Sequence, residues 1–592
     1  MTRLSRFHLT LLAIWFLTSL LLIAANAQVI GAWRFPDPDD QLRLLQVRDW
    51  LGGQSWFDVT QYRMNAPNGA PMHWSRWVDL PVALVIVTMT PLLGADMAES
   101  IALVIVPLVT MGAVMFLVAR LTAQLLSNEH AILAALLVPI CVEVTAQLRP
   151  MRIDHHGWQM ALAMLVLGAL IDPRIRRGGI IVGAGLGLWL GISLEGLPFA
   201  VATMALMGLR WTFDRKQGAR LTGATLALAT VSTVLFTVTH TVSGWQSTFC
   251  DAMSPVHLTV FWVAAAGSAL IVRMSPKTLW MRIAALGALA LAAAGLLAGI
   301  APACAADPFA QLDPLVYNFW YLAIMEGLPI WKQSIGIAAN TIALPLIGII
   351  GALVSIMRTT GEVRANWAVI LFMLVASTLT AVMVQRAGGV ANLVALAPAV
   401  ALVMRAVKVA RAQTNPLSRM ALTLAVVPIA APGLTFGFIT TQILYPATTI
   451  AALPQKNAAT CGQNDEISRL SALPTGAILA PLDISPAIIL LTPHKVVASS
   501  HHRNQAAMHD VIAVFLGTAD EAQAIITKRA IDYIIVCPGL PETGLYKDHA
   551  PTGFWAQLER GTIPAWLTPV AVPGAVQIKV WRVTPAGTSK TG

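Results

Sequence analysis

Residues 131–171 read A-I-L-A-A-L-L-V-P-I-C-V-E-V-T-A-Q-L-R-P-M-R-I-D-H-H-G-W-Q-M-A-L-A-M-L-V-L-G-A-L-I, two apolar segments joined by a polar run. A membrane-spanning helix needs about 20 mostly apolar residues, so this pattern predicts two membrane helices with a tight connection. Asp154, His155 and His156 are therefore expected at a membrane boundary. Side by side, these groups can bind a metal, act as acid or base, or form a structural pair with Arg152. The local sequence leaves all of these roles open.

The composition extends this membrane character to the whole chain. Of 592 residues, 56% are apolar and only 11% are charged, and the mean hydropathy is +0.69. An ordinary soluble domain has about 25% charged residues, so a soluble multidomain enzyme is excluded. Thirteen segments are predicted to span a membrane: 8–28, 97–119, 130–148, 157–172, 178–194, 196–209, 219–240, 257–272, 282–301, 334–357, 366–385, 389–404 and 420–442.

The basic residues indicate how the chain is oriented, because Lys and Arg are enriched in cytoplasmic loops. With thirteen crossings and a cytoplasmic N-terminus, every basic cluster falls in the cytoplasm and the C-terminus falls outside. The net charge of +10, from 39 basic and 29 acidic residues, therefore reflects topology, and nucleic acid is not expected as a partner. The clusters are Arg3 and Arg6; Arg174, Arg176 and Arg177; Arg210, Arg215, Lys216 and Arg220; Arg273, Lys277 and Arg282; Arg358 and Arg364; and Arg405, Lys408, Arg411 and Arg419.

Two further segments resemble membrane helices without fitting this count. Residues 80–93 are apolar but short, with a proline near each end. A full crossing there would move the basic clusters outside, so we predict an interfacial or re-entrant helix on the outer face. The N-terminus, an apolar run followed by A-N-A at 25–27, resembles a signal peptide. Because that run is longer than usual, an uncleaved anchor is the favoured interpretation.

The chain divides into two predicted domains. Residues 1–442 form an all-α polytopic membrane domain of about 13 transmembrane helices, with outer loops at 29–96 and 302–333. Residues 443–592 contain four strand-like runs, G-A-I-L-A-P-L-D, K-V-V-A-S-S, D-Y-I-I-V-C-P and V-Q-I-K-V-W-R-V, and one helical run, D-E-A-Q-A-I-I-T-K-R-A. This pattern predicts a small α/β domain on the outer side of the membrane.

The five cysteines do not indicate a disulfide scaffold, and the absence of any C-x-x-C spacing argues against zinc held by thiols. If the C-terminal domain faces an oxidising compartment, Cys461 and Cys537 can form one bridge there. Cys250 and Cys304 are a weaker second pair, and Cys141 lies inside an apolar segment.

Acidic residues on the predicted outer face concentrate in three places, of which the connection holding Asp154 is one. Another is F-P-D-P-D-D-Q-L-R-L-L-Q-V-R-D-W at 35–50, where Asp39 and Asp40 begin a short helix. Apolar residues share one side of this helix, which predicts that it lies on the membrane surface with its acidic end free. A solvated amphipathic helix without a functional role is the alternative.

The remaining acidic place is L-D-P-L-V-Y-N-F-W-Y-L-A-I-M-E-G-L-P-I-W at 312–331. Trp320, Tyr321 and Trp331 suit the aromatic belt at a membrane interface, and they would also suit the faces of sugars. Glu326 is a carboxylate in an otherwise apolar stretch, where an unpaired charge is costly.

Asp39, Asp154 and Glu326 come from three separate outer segments and can converge on one divalent cation. Oxygen ligands favour Mg²⁺ or Mn²⁺ over zinc. Such an ion can neutralise a phosphate leaving group, and a single carboxylate acting as base on the acceptor then suffices. Arg386, at the outer end of an apolar segment, can hold a lipid-linked phosphate or serve as a plain interfacial anchor.

These features make the chain resemble the membrane-embedded GT-C-type glycosyltransferases, most closely the catalytic subunit of oligosaccharyltransferase. Asp39 precedes the Arg48–Asp49 pair by about ten residues, as the catalytic Asp does in that family's first outer loop. The similarity covers roughly residues 1–440. The other matching motifs are W-F-D at 56–58, P-N-G at 67–69, D-H-H-G-W-Q at 154–159, which is similar to the archaeal D-H-H-x-x-E, and E-G-L-P-I-W at 326–331, which is similar to S-E-x-x-P-x-x-W.

The resemblance implies a GT-C-like fold with a periplasmic C-terminal domain. It also implies transfer of a sugar from a polyprenyl-phosphate or -pyrophosphate carrier with the help of a divalent metal. On this basis we expect Asp39 to act as acceptor base or metal ligand, with Asp40 as its catalytic alternative. Asp154 and Glu326 are the expected metal-site carboxylates, with Glu326 in the active site and His156 assisting nearby. The expected substrate contacts are Arg152 and Arg386, which would bind phosphate, and Trp331.

Three departures from the family pattern narrow the expected function. Gln159 stands where the archaeal motif has Glu, and the spacing after Arg386 differs from that of the family. The W-W-D-x-G motif that reads the acceptor sequon is absent, and the chain contains no Trp-Trp pair. N-glycosylation of a sequon is therefore not expected. The expected acceptor is instead an envelope lipid, polysaccharide or protein.

The expected protein is a multi-pass glycosyltransferase of the bacterial inner membrane, with its active face on the periplasmic side. Its partners are a polyprenyl-linked sugar donor, membrane lipid and an envelope acceptor. A transporter or lipid-linked glycan flippase is the alternative, and would carry ionisable residues along a path through the membrane. Here the acidic groups gather at one face instead. A catalytically inactive relative that acts as a scaffold is a third interpretation, which Gln159 keeps open.

Overall fold

The computed structural model describes residues 6–305, 309, 312–439 and 464–584, most of which are helical. Within these residues, ten helices are long and apolar enough to cross a membrane, judged by length and composition. The other four predicted spans overlap shorter helices, which are Asn128–Leu137, His156–Leu170, Leu197–Phe213 and Pro416–Leu424. The ten are Arg6–Ala25, Arg76–Leu93, Ala95–Leu125, Ile175–Ile192, Arg215–Thr239, Pro255–Met274, Leu279–Ile300, Ile335–Arg358, Gly361–Met383 and Gln385–Arg411.

Two segments form helices whose lengths differ from those that the sequence indicates. The predicted span at 130–148 is interrupted, because Pro139 lies in a 3₁₀ turn, Val138–Ile140, that separates the Asn128–Leu137 helix from a short helix, Val142–Ala146. The segment at 80–93 belongs to the Arg76–Leu93 helix, whose length and composition are those of a span. Its interfacial or re-entrant placement stays a prediction.

Small residues bring neighbouring helices into close contact. The Ile175–Ile192 helix packs along the Gly218–Thr239 helix, and a Cβ atom on Gly183 would lie 2.0 Å from the carbonyl oxygen of Ala224. A Cβ on Gly179 would lie 2.3 Å from the carbonyl oxygen of Arg220. Such glycines allow helix backbones to approach when lipid provides no hydrophobic driving force between helices.

The connections between helices separate by charge to opposite ends of the bundle. At one end, Arg210 donates to the carbonyl of Leu170, and Arg220 donates to those of Ala169 and Asp172, so two basic connections lie together. The connections that hold His155, Glu195 and Arg386 meet at the other end. This arrangement agrees with the predicted separation of basic and acidic faces.

The predicted first outer loop overlaps three helices and contains one hairpin. Ala27–Gly31 and Pro38–Leu51 are followed by the strands β1 (Thr60–Gln61) and β2 (Ala70–Pro71), which pair antiparallel, and then by the Arg76–Leu93 helix. The predicted helix after Pro38 is confirmed, but its placement on the membrane surface is wrong. Residues 40–47 are all buried, and the helix packs against Ser485–Leu491 of the C-terminal region.

The C-terminal region, residues 464–584, is a small α/β unit. Its five strands are β3 (Ala477–Leu479), β4 (Lys495–Val496), β5 (Tyr533–Val536), β6 (Leu567–Pro569) and β7 (Lys579–Val583), in the order β4-β3-β5-β7-β6. The β3–β4 and β3–β5 pairs are parallel, and the β5–β7 and β6–β7 pairs are antiparallel. Its helices are Asn464–Ser468, Ser485–Leu491, Gln505–Leu516, Ala519–Lys528, Pro541–His549 and Phe554–Glu559.

This unit confirms the predicted α/β class. All four predicted strand runs contain a strand, and the predicted helical run overlaps the Ala519–Lys528 helix, which begins with a capping box formed by Thr518 and Glu521. The strand at Leu567–Pro569 was not predicted. The predicted boundary at 442–443 lies outside the described residues.

One disulfide, between Cys250 and Cys304, links the connection before the Pro255–Met274 helix to the 302–333 loop. The bridge confirms the weaker of the two predicted pairs. Cys461, a member of the other pair, lies outside the described residues. Disulfides persist mainly outside the cytoplasm, which agrees with the predicted outer position of this loop.

Candidate functional site

A cavity of about 1020 Å³ lies between the acidic end of the helix bundle and the C-terminal region. Its volume is at the upper end of the range for small-molecule sites. Apolar side chains from the helix ends form one part of its wall: Met160, Leu194, Leu197, Phe199, Leu297, Val384 and Val390. Its polar wall contains Asp37, Asp39, His155, His156, Glu195, Glu326 and Arg386 from the helix ends and loops, and Asp483, His501 and His502 from the C-terminal region.

The three aspartates of P-D-P-D-D have three different positions. Asp37 caps the Pro38–Leu51 helix, because its side chain accepts the N–H of Asp39 at 2.9 Å. Asp39 lines the cavity. Asp40 is fully buried behind it and accepts the N–H groups of Ile153 at 2.9 Å and Asp154 at 3.0 Å. Asp40 therefore fastens the first outer loop to the connection that carries the histidines.

Arg152 completes this buried support. Its guanidinium lies 3.1 Å from both Asp37 and Asp40 and 3.7 Å from Asp154, and it also donates to Gln147. Only 6% of Arg152 is exposed, and it does not belong to the cavity wall. The geometry gives Arg152 the position of a support for the acidic residues.

Asp154 holds two imidazoles from behind. Its Oδ1 lies 2.5 Å from Nδ1 of His155, and its Oδ2 lies 2.6 Å from Nδ1 of His156. Burial would raise the pKa of Asp154, but the two imidazoles lower that pKa well below its usual range. Burial would lower the pKa of His155, but Asp154 raises it to about 10. Pairs of this kind fix the orientation of an imidazole ring.

Asp39 lies in the opposite electrostatic situation. Burial raises its pKa well above the usual range, Asp37 and Asp154 raise it further, and Arg152 counteracts only part of this. Carboxylates whose pKa values are pushed apart by their surroundings are typical of sites that divide acid and base roles.

Glu195 is a site residue that the sequence did not reveal. It lies between the Ile175–Ile192 and Leu197–Phe213 helices, and its Oε1 lies 3.0 Å from Nη1 of Arg386. Its Oε2 accepts a hydrogen bond from Gln159 and lies 3.4 Å from Nε2 of His155 and 3.7 Å from Nε2 of His156. About a third of the side chain is exposed, in the cavity wall.

One sequence signal points to Glu195. The run E-G-L-P occurs at 195–198 and again at 326–329. Glu326, the first residue of the second run, lies 3.7 Å from the same guanidinium nitrogen of Arg386. Two equivalent loops thus present one carboxylate each to a single arginine.

The structure brings most of the predicted site residues together. Asp39, His156, Glu326 and Arg386 line the cavity, and Asp40, Arg152 and Asp154 lie directly behind that wall. Trp331 does not belong to the wall and is 61% exposed.

The donor set fits a divalent cation. Asp154, His155 and His156 offer ligand atoms within 4.8 Å of one another, and carboxylates line the cavity beside them. His156 is 7% exposed, and its Nε2 is buried without a hydrogen-bond partner among the described residues. A buried polar atom without a partner is costly unless a ligand satisfies it. The site thus has the residues to hold a divalent metal.

No protein-family model matches the chain, and no curated protein matches its sequence. Solved structures do match it. The oligosaccharyltransferase of Archaeoglobus fulgidus, in complex with an inhibitory peptide and a dolichol-phosphate, superposes with a TM-score of 0.65 at 16% identity, over 89% of this chain and 69% of that chain.

Two other structures of the Archaeoglobus fulgidus enzyme are similar to the chain. The apo form has a TM-score of 0.63 at 17% identity, over 89% of this chain and 69% of that chain. The complex with Zn and sulfate has a TM-score of 0.56 at 15% identity, over 91% and 70%. At this identity the likeness establishes the fold. The chain has the fold of a GT-C-type, oligosaccharyltransferase-like membrane protein, which the motifs predicted.

Proposed function

We propose that the chain is a glycosyltransferase that moves a sugar from a polyprenyl-phosphate or -pyrophosphate carrier to an envelope lipid, polysaccharide or protein. The reaction takes place on the periplasmic side of a bacterial inner membrane. The observation that carries this proposal is the convergence of Asp39, Glu195, Glu326, His156 and Arg386 on one cavity at the acidic end of a GT-C-type bundle. The dolichol-phosphate bound to the Archaeoglobus fulgidus enzyme supports a lipid-linked donor.

The metal in this proposal is Mg²⁺ or Mn²⁺. Asp39 and Glu326, which line the cavity, would supply oxygen ligands, and the unpartnered Nε2 of His156 would supply a nitrogen. Asp154 was predicted as a third ligand, but both of its oxygens hold imidazoles, so it would support His156 from behind. Hard oxygen ligands favour these ions, although imidazole also suits zinc. When bound, the cation would neutralise the negative charge that develops on the departing phosphate.

Asp39 is the proposed base for the acceptor hydroxyl. Asp39 is the aspartate of the Pro38–Leu51 helix that lines the cavity, whereas the carboxylate of Asp40 accepts hydrogen bonds from the backbone and from Arg152. Burial raises its pKa, which makes the Asp39 carboxylate a stronger base toward the acceptor hydroxyl. Asp40 and Arg152 position Asp39 and Asp154 and do not touch substrate.

Arg386 is the proposed phosphate ligand. In the free protein its guanidinium is shared by Glu195 and Glu326. Both carboxylates approach one nitrogen of Arg386, whereas a phosphate can bind the guanidinium at two points, so its arrival would release both carboxylates toward the cavity. The apolar wall beside Arg386 suits the first isoprene units of a carrier, and the exposed Trp331 suits the membrane interface beyond it.

The test compares a deletion strain complemented with wild type, with Asp39→Asn, and with Asp96→Asn, an exposed carboxylate outside the cavity wall. Mass spectrometry of envelope glycans and polyprenyl-linked sugars is the readout. Asp39→Asn should behave as the deletion does, with one glycan lost and one carrier-linked sugar accumulated, whereas Asp96→Asn should complement fully.

The same experiment separates the alternatives. Full complementation by Asp39→Asn would exclude a catalytic role for this face and would favour transport. Complementation by Asp39→Asn together with a glycan profile that does not change on chelation of divalent metal would indicate an inactive scaffold. Loss of activity on chelation, restored by Mg²⁺ or Mn²⁺, is the result expected for the transferase.

A further inference from the structure

We propose that His73, Asp251 and His502 form a second metal site, built for an ion of the Zn²⁺ class, that joins the C-terminal region to the membrane bundle. The three residues come from three separate parts of the chain. His73 follows the hairpin of the first outer loop, Asp251 precedes the Pro255–Met274 helix, and His502 belongs to the C-terminal region. This proposal does not depend on the transferase activity.

The geometry of the three side chains is that of a metal-binding cluster. Each offers one ligand atom, and the three atoms lie within 4.8 Å of one another. Nε2 of His502 lies 2.8 Å from Oδ2 of Asp251, and the ring centroids of His73 and His502 are 4.8 Å apart. Two imidazole nitrogens and one carboxylate oxygen are a typical zinc donor set, with a water molecule as the fourth ligand. All three residues line the cavity, which gives that water room.

The surrounding residues already orient the three ligands. Nδ1 of His73 is 2.8 Å from Nε2 of His501, which leaves Nε2 of His73 for a metal. Asp251 receives a fork from Arg503, with Nε at 2.8 Å from Oδ2 and Nη2 at 3.0 Å from Oδ1. Metal-ligating histidines and carboxylates are usually held by second partners of this kind.

His501 packs against both of the proposed histidine ligands. Its side chain is 2% exposed, and its Nδ1 has no hydrogen-bond partner in the part of the chain that the structure describes. The imidazoles of His73, His501 and His502 crowd together, with centroid separations of 4.7, 4.8 and 5.6 Å. This crowding places several imidazole nitrogens close together beside a carboxylate, as the ligands of a bound metal ion are placed.

A hydrogen-bond network alone explains less of this arrangement. The Asp251–Arg503 ion pair and the Asp251–His502 hydrogen bond account for two of the contacts. These two contacts give no role to Nε2 of His73, which lies beside them. Asp251 also directly follows Cys250, which is fixed by its disulfide to Cys304, so the carboxylate is held from the chain as well.

The test is the zinc content of the full-length protein in nanodiscs, stripped with a chelator, reloaded with Zn²⁺ in excess Mg²⁺ and measured by mass spectrometry. His73→Gln and His502→Gln should each lower the content by about one equivalent. His509→Gln, on the Gln505–Leu516 helix and outside the cluster, is the matched control and should leave the content unchanged. His501→Gln should keep the site but weaken binding by about 10- to 100-fold.

Zinc bound at the candidate active site is distinguished from zinc bound at this second site by repeating the measurement in a His156→Gln protein. The difference between that protein and its His502→Gln derivative should remain about one equivalent. Reloading with Co²⁺ gives a second readout, because a tetrahedral site with two imidazoles has visible d–d absorption that His73→Gln should remove. Wild-type zinc content in folded His73→Gln and His502→Gln proteins, judged by size-exclusion chromatography, would overturn the proposal. Loss of this zinc without loss of sugar transfer would leave the proposed function intact.

Discussion

Gln159 donates a hydrogen bond of 2.9 Å from its side-chain amide to Oε2 of Glu195, at the point where the archaeal motif would place a glutamate. The amide can approach the carboxylate because it carries a donor and no charge. A glutamate at position 159 would instead face Glu195 as a like charge. The carboxylate missing from the D-H-H-G-W-Q run is thus present in the site, but it comes from the next connection at this end of the bundle.

This hydrogen bond predicts that exchanging the two residues restores sugar transfer that each single substitution lowers. Glu195→Gln should lower sugar transfer by about 10- to 100-fold, the usual effect of removing a group that supports a metal or phosphate site. Gln159→Glu should also lower transfer, because two carboxylates then share one position. The double variant restores one carboxylate and one amide, and its transfer rate in membranes should exceed that of both single variants.

The control for this exchange is Glu99→Gln, a carboxylate that pairs with Arg48 outside the cavity wall. It should change transfer little. A double variant as inactive as the product of the two single effects would mean that residues 159 and 195 act independently, which would contradict the exchange.

Asp39 and Asp40 are adjacent, and their structural positions predict opposite phenotypes. Asp40→Ala leaves two backbone N–H groups and part of the Arg152 charge without a partner in a buried place, which should cost about 3–5 kcal/mol of stability. Asp39→Ala removes a carboxylate that burial already disfavours, so the folded protein should be as stable as wild type or more stable. Thermal unfolding followed by size-exclusion chromatography in detergent measures both. Equal loss of stability in the two variants would contradict these positions.

The sequence predicted much of the fold and part of the site for local reasons. Apolar runs marked the helices, and short β-branched runs marked the strands of the C-terminal region. The ionisable residues of the predicted outer face are few, so Asp39, His156, Glu326 and Arg386 could be singled out, and all four line one cavity.

What the sequence did not reveal depends on contacts between distant residues. Glu195 is a single acid between two apolar segments, and its role follows only from Arg386, 191 positions later. The Pro38–Leu51 helix has polar residues on the side opposite its apolar residues, and this pattern predicted that the polar side faces water. That side is buried instead, because Arg43 lies 2.9 Å from Asp79 and Gln46 also donates to Asp79. A polar residue with a buried partner looks the same in sequence as a solvated one.

Close packing of two helices gives a prediction outside the site. Gly183→Ala places a methyl group about 2.0 Å from the carbonyl oxygen of Ala224, so the Ile175–Ile192 and Gly218–Thr239 helices must separate. Overpacking of this kind costs about 1–3 kcal/mol. Gly295→Ala, in the Leu279–Ile300 helix, meets nothing within 4 Å and gains about 1 kcal/mol of helix propensity. Thermal unfolding should therefore rank Gly183→Ala below wild type and Gly295→Ala at or above it.

The Cys250–Cys304 bridge predicts a loss of stability that is local to the cavity wall. The two cysteines are separated by 54 positions, and closing a loop of this length stabilises the folded chain by about 4 kcal/mol in the chain-entropy account. A Cys250→Ser/Cys304→Ser protein should unfold at a lower temperature than wild type.

Hydrogen exchange should rise around Asp251 and in the 312–331 loop, where Glu326 lies, while the Ile175–Ile192 helix should be unaffected. Cys141→Ser, which removes the free thiol of Cys141, is the control for the substitution itself. Unchanged exchange around Asp251 in the double variant would mean that the ion pair with Arg503 alone holds this wall in place.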